Sequence, residues 1–255
     1  MAGVTAASPS VMAHLHTSAG HTIGVDHLRE LLARTPIQAS AAEYADAVVN
    51  ENVLGRATLA GRKRVLRHLR ELYVLDSSAA AFRALRDLWP LEADAQRLLA
   101  GLLAFSRDEL LRASFTSLRE VPGGVRVGAA ELAAAVAMAF PDRFSDATLA
   151  KIGRNTAASW TQTGHLVGRT SKTRTSAGAR SVSVAYALLL GHLDGARGSM
   201  LLGSQWISLL DLGSDELAAL IDEASRQGLL NRRSAGGVLE ITFPYLQRSE
   251  TGAVA

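Results

Sequence analysis

The stretch NENVLGRATLAGRKRVLRHLRELYVL, residues 50–75, predicts a loop followed by a strongly amphipathic helix from about Thr58 to Val74. At about 100° per residue, apolar side chains fall on one side of this helix and cations on the other. The apolar side consists of Val65, Leu66, Leu69, Leu72 and Tyr73. The opposite side carries Lys63, Arg64, Arg67 and Arg70. Arg62 falls on the apolar side and has to extend its guanidinium outward. We therefore expect a helix that packs on a core and presents positive charge outward.

The composition of the whole chain favours a helical, globular protein. Its 255 residues suffice for one large domain or two small ones, and 48 % are hydrophobic against 20 % charged. Aromatic residues make up only 5 %, while Ala and Leu dominate, which favours helices over sheets. The net charge of +3 and the sequence pI of about 9.6 suit an anionic partner. We expect a mainly α fold.

Residues 25–141 predict a helical bundle, and no strand is expected before residue 140. Helices are expected at Val25–Arg34, Ala41–Val53, Thr58–Val74, Ser77–Leu88, Ala93–Ser106, Asp108–Glu120 and Ala129–Phe140. Prolines follow several of these segments, and proline cannot continue a helix. Residues 1–24 are interpreted as a flexible arm and residues 245–255 as a flexible tail.

Residues 145–244 predict a second domain that opens with a helix at Asp146–Thr163, capped by Ser145. One side of this helix carries Lys151, Arg154 and Asn155. Cations and amides are the groups that contact phosphates and base edges of nucleic acids. The same pattern equally fits an ordinary solvated helix face, and it does not decide between the two.

The segment GRTSKTRTSAGARS, residues 168–181, predicts a flexible basic linker. It contains no acid and four cations: Arg169, Lys172, Arg174 and Arg180. One interpretation is a solvated connector. The other is a loop that becomes ordered on a phosphate backbone.

The C-terminal part predicts helices at Val182–Leu193 and Asp215–Gln227, and then a β-hairpin. The hairpin strands are expected at Leu229–Arg233 and Val238–Phe243. Helices followed by such a hairpin are typical of a winged-helix arrangement, which would put Arg232 and Arg233 near nucleic acid. The alternative is a small hairpin that covers a helical core.

The motif search does not indicate an enzyme. The sequence lacks a Walker A motif, a G-x-G-x-x-G after a strand, an H-E-x-x-H and any cysteine. His14, His16 and His21 are interpreted as part of a surface segment, because no carboxylate or Cys completes a metal site. We expect no cofactor, no metal and no catalytic residue. The absence of cysteine and of a recognisable signal peptide or membrane-length apolar run predicts a cytoplasmic location.

Four segments resemble the BrxA family. The run AVVNENVLGRATLAGRKRVLRHLRELYVL, residues 47–75, is similar to the family's Leu-Gly-(Lys/Arg) loop and its basic helix ending in Glu-Leu-Tyr. The run DATLAKIGRNTAASWTQTGHLVG, residues 146–168, resembles the family's second-half helix. Residues 183–198 and 215–243 resemble its C-terminal part, so the resemblance covers about residues 25–243.

This resemblance implies an accessory protein of BREX bacteriophage-defence systems. Members are mostly helical, with a first half similar to the NusB antitermination fold, and are thought to bind DNA beside a methyltransferase and other BREX components. The matching positions here are Arg56, Arg62, Lys63, Arg64, Arg67, Arg70, Lys151 and Arg154.

The leading hypothesis is a non-enzymatic double-stranded DNA-binding accessory protein. Its expected contacts include the matching positions and also Asn155, Arg169, Lys172, Arg174, Arg232 and Arg233. Two alternatives stay open: an RNA-binding module of the antitermination type, and a scaffold whose basic helices dock on an acidic protein.

Overall fold

The computed structural model describes residues 20–236 and 238–248, and in this part of the chain the fold is mainly α-helical, as predicted. The helices are α1 Val25–Arg34, α2 Ala41–Val49, α3 Leu59–Tyr73, α4 Ala80–Leu88, α5 Gln96–Arg107, α6 Glu109–Leu118, α7 Ala129–Ala139, α8 Asp146–Thr163, α9 Ser181–Leu193, α10 Gln205–Ser208 and α11 Ser214–Arg226. Short 3₁₀ turns occupy Ala93–Ala95 and Gly198–Leu201. None of the described helices is long and apolar enough to cross a bilayer.

Two small antiparallel sheets complete the fold. The first has three strands, β1 Arg126–Val127, β2 Leu166–Val167 and β3 Lys172–Arg174, in the order β1-β3-β2. The second is a hairpin of β4 Asn231–Ala235 and β5 Val238–Thr242. The hairpin was predicted, but the first sheet was not.

One hydrophobic core joins the two predicted domains. Its cluster of buried side chains runs from Ile23 to Leu246 and includes members from both sides of residues 141–145. Helix α5 lies at its centre and contacts α3, α4, α6, α8 and α9. The hydroxyl of Tyr186 on α9 donates to the carbonyl of Ala81 on α4, 2.9 Å away. The predicted boundary therefore does not separate two cores.

Helix α3 packs as its pattern predicts. The hydroxyl of Thr58 accepts from the Gly61 N–H at 3.1 Å and caps the first turn. The buried side consists of Leu66, His68, Leu69, Leu72 and Tyr73, and Val65 is half-buried. Removing these apolar groups from water anchors the helix in the core.

Residues 22–24, predicted to belong to a flexible arm, lie between α3 and α8. The Ile23 N–H donates to Ser159 Oγ on α8 at 3.2 Å, and Tyr73 on α3 donates to the Ile23 carbonyl at 2.7 Å. Ile23 itself is buried. The arm prediction is thus corrected for these residues, while residues 1–19 lie outside the described part of the chain.

The predicted flexible linker 168–181 is folded in its first part. Strand β3 pairs with both β1 and β2, and Gly168 begins the tight turn that leads into it. Gly168 has φ 108°, and a Cβ at this position would lie 2.2 Å from the Ser171 carbonyl oxygen. Only glycine fits this turn without strain.

Arg174 at the end of β3 faces inward and is 6 % exposed. Its Nη1 and Nη2 donate to the two carboxylate oxygens of Asp211 at 2.9 and 2.5 Å, and its Nε donates to the Leu118 carbonyl. The interpretation of Arg174 as a DNA contact is therefore wrong, because its guanidinium is buried and its hydrogen bonds are used internally.

His165 lies fully buried beside this pair. Its Nε2 is 2.8 Å from the Leu209 carbonyl, which can only accept, so Nε2 carries the hydrogen and Nδ1 accepts from the Thr163 hydroxyl at 2.7 Å. Burial lowers the pKa of His165 to about 4, although the carboxylate of Asp211 acts in the opposite direction. His165 is therefore neutral at pH 7, and its 3.9 Å approach to Asp211 is not an ion pair.

The C-terminal residues continue the packing beyond the hairpin. Strand β5 contacts the Gly198–Leu201 turn, and β4 contacts α11. Leu246, predicted to lie in the flexible tail, is buried, and Arg248 Nη2 lies 2.8 Å from the carboxylate of Asp87. Residues 245–248 thus belong to the fold.

The Arg174–Asp211 pair is expected to matter for stability. In Arg174→Ala the carboxylate of Asp211 and several carbonyls lose their donor, so we expect the free energy of unfolding to fall by about 3 kcal/mol. Urea unfolding measures this loss. The control Arg169→Ala changes an exposed residue of the adjacent turn, and its effect should stay within about 0.5 kcal/mol. Equal stability of the two variants would contradict the structural role of Arg174.

The buried His165 should make folding sensitive to acid. The folded-state pKa lies below the unfolded value of 6.5, so the unfolded chain binds the extra proton first. The stabilisation is complete above pH 6.5 and is lost as the pH falls toward 4, by on the order of 3 kcal/mol. Urea unfolding of wild type and His165→Gln at pH 7 and at lower pH isolates this contribution. An unchanged pH dependence in the variant would argue against it.

Candidate nucleic-acid interface

The outward side of α3 presents three cations to solvent. Lys63 and Arg64 are exposed and form no ion pair with any described residue. Arg67 is 72 % exposed in its side chain, and its Nε lies 3.9 Å from the carboxylate of Glu71 one turn away. An ion pair this exposed contributes little to stability, so Arg67 remains available to an anionic ligand.

Three other predicted contacts are used inside the protein. Arg62 donates from Nη1 to the Val49 carbonyl at 3.1 Å and from Nε to the Arg56 carbonyl at 3.2 Å. These bonds satisfy carbonyls at the end of α2 and in the following loop. Arg70 Nη2 donates to the Ala41 carbonyl at 2.7 Å. Arg62 and Arg70 therefore join α3 to α2, and Arg56 is hydrogen-bonded to His27.

A cleft of about 290 Å³ opens beside α3, and we call it the histidine–arginine cleft. It is lined by His21, Thr22, Gly24, His27, Arg56, Gly61, Arg64, Val65 and His68. Burial, followed by the neighbouring cations, lowers the pKa of His21 and His27, and burial also lowers that of His68. At neutral pH the positive charge of this cleft thus comes from its two arginines.

Helix α8 supplies a second group of exposed cations. Lys151 and Arg154 lie one turn apart on its outward side, with the half-buried Asn155 beside them. Arg154 also lines a second cleft, of about 570 Å³, between α8, β1 and the β2–β3 turn. We call it the four-cation cleft, because its lining includes Arg126, Arg154, Arg169 and Lys172.

Close packing of α7 against α8 sets the position of Arg154. A Cβ at Gly153 would lie 2.2 Å from the Ala129 carbonyl oxygen and 2.9 Å from the Ala133 Cβ. The absence of a side chain at Gly153 lets the two helices approach. This crossing brings Arg154 to the same cleft as Arg126, which lies on β1 shortly before α7.

The two groups of cations meet at residues 20–21. The positive charges of Lys151 on α8 and of Arg64 and Arg67 on α3 all lower the pKa of His21. Lys151 Nζ lies 3.9 Å from the position that a Cβ on Gly20 would occupy. We call the resulting surface the basic face, and its exposed cations are Lys63, Arg64, Arg67, Arg126, Lys151, Arg154 and Arg169.

Two further predicted contacts lie on the hairpin. Arg232 forms an ion pair with Asp222 on α11, and the exposed Arg233 stands opposite Glu240 in the strand register. Neither residue lines either cleft of the basic face. Lys172, another predicted contact, donates from Nζ to Thr161 Oγ1 at 2.7 Å at the edge of the four-cation cleft.

The sequence patterns missed Arg126 and the histidines of the first cleft. Arg126 is exposed and unpaired among the described residues, but it reaches the cleft only because β1 pairs with β3. No local periodicity marks a two-residue strand, so no signal in the sequence could have placed it. His27 and His68 lie on different helices, and only their packing around residues 21–24 brings them together.

The site shows no metal centre within the described residues, which include no group of three His, Cys, Asp or Glu able to hold one. His14 and His16 lie outside the described part of the chain. No family model matches the chain, and no curated protein or solved structure compares significantly with it.

The α7–α8 crossing should not tolerate a side chain at Gly153. In Gly153→Ala the new methyl group must push the Ala129 backbone away, and we expect a loss of roughly 1–3 kcal/mol of stability. Thermal unfolding measures this loss of stability. The control Gly123→Ala introduces a Cβ with no atom within 4 Å and should stay within about 0.5 kcal/mol of wild type. Equal unfolding temperatures of Gly153→Ala and Gly123→Ala would contradict the close contact between α7 and α8.

Proposed function

We propose that this chain is a non-enzymatic protein that binds double-stranded DNA through the basic face. The observation that carries the proposal is that the α3 and α8 cations approach the same residues. Arg64 lines a cleft together with His21, and Lys151 Nζ lies 3.9 Å from the position that a Cβ on Gly20 would occupy. DNA affinity arises largely from cations that neutralise phosphates and release counterions. Helices α3 and α8 are about 22 and 27 Å long, so the face is large enough to follow a duplex over most of a helical turn.

The charge distribution within the face supports a nucleic-acid ligand. Of the described residues that line the two clefts, none is a carboxylate. The cations project from two long helices and two strand-end segments that are held by the core, and rigid presentation lowers the cost of binding. Exposed cations on a preformed surface suit the regularly spaced phosphates of a duplex.

The proposed context is a BREX-type phage-defence system, in which the protein would act as an accessory beside a methyltransferase complex. The resemblance of residues 47–75 and 146–168 to the BrxA family supports this assignment. These two segments contain α3 and α8, the helices that contribute most of the basic face. A NusB-like first half and a winged-helix-like second half belong to the same proposal.

Salt-dependent binding of a labelled duplex tests the proposal. Each phosphate contact contributes about 0.9 to the slope of log affinity against log salt concentration, so six to seven contacts give a slope near 5 or 6. We expect the double variants Lys63→Ala/Arg64→Ala and Arg154→Ala/Arg169→Ala each to lower this slope by about 2. Fluorescence anisotropy at several salt concentrations provides the measurement.

A matched control and a competition assay complete the experiment. Arg226→Ala removes an exposed cation from the acidic helix α11 and should leave both affinity and slope unchanged. If only one of the two double variants changes the slope, α3 and α8 do not form one contact surface. Stronger binding of single-stranded RNA than of duplex DNA would contradict the proposal and would favour an RNA-binding module. An absence of binding at low salt would favour docking on an acidic protein.

A further inference from the structure

The four-cation cleft differs from the rest of the basic face because it is concave and is lined by cations from four segments of the chain. Arg126, Arg154, Arg169 and Lys172 come from β1, α8, the β2–β3 turn and β3. The hydroxyl-bearing residues Thr170 and Ser171 also line it. With no carboxylate among its described lining residues, the cleft offers hydrogen-bond donors to an anion from several directions.

Two features keep the framework of this cleft in place. Lys172 is fixed by its hydrogen bonds to Thr161 Oγ1 at 2.7 Å and to the Gly168 carbonyl at 3.4 Å. The tight turn at Gly168 holds the loop that carries Arg169. The cleft therefore exists before a ligand arrives, which reduces the ordering cost of binding.

The lining also restricts the chemistry of the ligand. It contains no aromatic side chain among the described residues, so it offers no platform on which a base could stack. A volume of about 570 Å³ exceeds what one phosphate needs. Glu131 accepts a hydrogen bond from the Gly128 N–H at 3.3 Å, so this N–H does not count among the donors.

We propose that the four-cation cleft binds a chain of linked phosphoryl groups and does not need duplex DNA to do so. The four cations would neutralise the phosphate charge directly, so binding needs no divalent metal, in contrast to sites where Mg²⁺ bridges phosphates to carboxylates. Because no base is recognised, a nucleoside triphosphate and inorganic triphosphate bind equally well, and a single phosphate binds much more weakly.

Isothermal titration calorimetry of the full chain tests this proposal. The probes are inorganic triphosphate, a nucleoside triphosphate and inorganic phosphate, in a chelator-containing buffer that sodium chloride brings to matched ionic strength. We expect both triphosphates to bind with similar affinity. Arg126→Ala and Arg169→Ala should each weaken triphosphate binding by roughly tenfold, because each removes a charge-assisted contact.

Further variants separate this site from the duplex contact. Lys63→Ala/Arg64→Ala should weaken duplex binding and leave triphosphate binding unchanged, since these residues lie outside the four-cation cleft. Arg226→Ala should change neither duplex binding nor triphosphate binding. Arg126 and Arg169 are exposed, so thermal unfolding of their variants should match wild type and exclude misfolding as the cause.

The possible failures are distinct. No heat with triphosphate, equal affinity for triphosphate and single phosphate, or wild-type affinity of the Arg126 and Arg169 variants would each overturn the oligophosphate site. A much tighter interaction with the nucleoside triphosphate than with inorganic triphosphate would show base recognition and also contradict it. A wild-type chain that binds triphosphate but not duplex DNA would overturn only the proposed function.

Discussion

The hydrogen bonds of residues 22–25 hold α3 and α8 in one arrangement, and the candidate interface depends on them. His68 on α3 donates to the Thr22 carbonyl at 2.7 Å, while the Val25 N–H donates to Gln162 Oε1 on α8 at 3.0 Å. Ile23 uses its N–H toward Ser159 and its carbonyl toward Tyr73. A buried backbone segment must find such partners, because an unpaired N–H or carbonyl costs free energy comparable to a lost hydrogen bond. Satisfying them positions the cations of both helices on the same side of the molecule.

Arginine serves two distinct purposes in this protein, and a count of charges does not separate them. Arg86 is buried and donates to the carbonyls of Leu32, Thr35 and Pro36, where α1 ends. A guanidinium offers five donors in a fixed geometry, so it can satisfy several carbonyls that a helix end leaves unpaired. Arg64 and Arg154, by contrast, are exposed, and neither forms an ion pair with a described residue. The positive charge that stays exposed and unpaired among the described residues is therefore smaller than the composition indicates.

The electrostatics of the two clefts differ in a way that suits different ligands. Burial and nearby arginines lower the pKa values of His21 and His27, so the histidine–arginine cleft carries moderate charge at neutral pH. The described residues that line the four-cation cleft include no histidine. The two proposed ligands, an extended phosphate backbone along the face and an oligophosphate in the four-cation cleft, would share Arg154 and Arg169.

Local sequence patterns determined most of the helices and the orientation of the basic ones. The bounds of α1 and α8 agree with the predictions, and the periodicity of α3 correctly separated Leu69 and Tyr73 from Lys63 and Arg64, because burial on a helix repeats every 3.6 residues. The hairpin was also found, since its strands lie side by side in the sequence.

Contacts between distant residues were decided only by the tertiary structure. The linker 168–181 has the composition of a flexible loop, yet β3 is ordered by pairing with β1, more than forty residues earlier in the chain. The same pairing turns Arg174 inward to Asp211 and brings Arg126 beside Arg169, neither of which a local pattern can indicate. Composition and periodicity indicate which side chains of each segment can be buried. Which cations stay exposed, and which of them converge, depends on the partners that folding places around each segment.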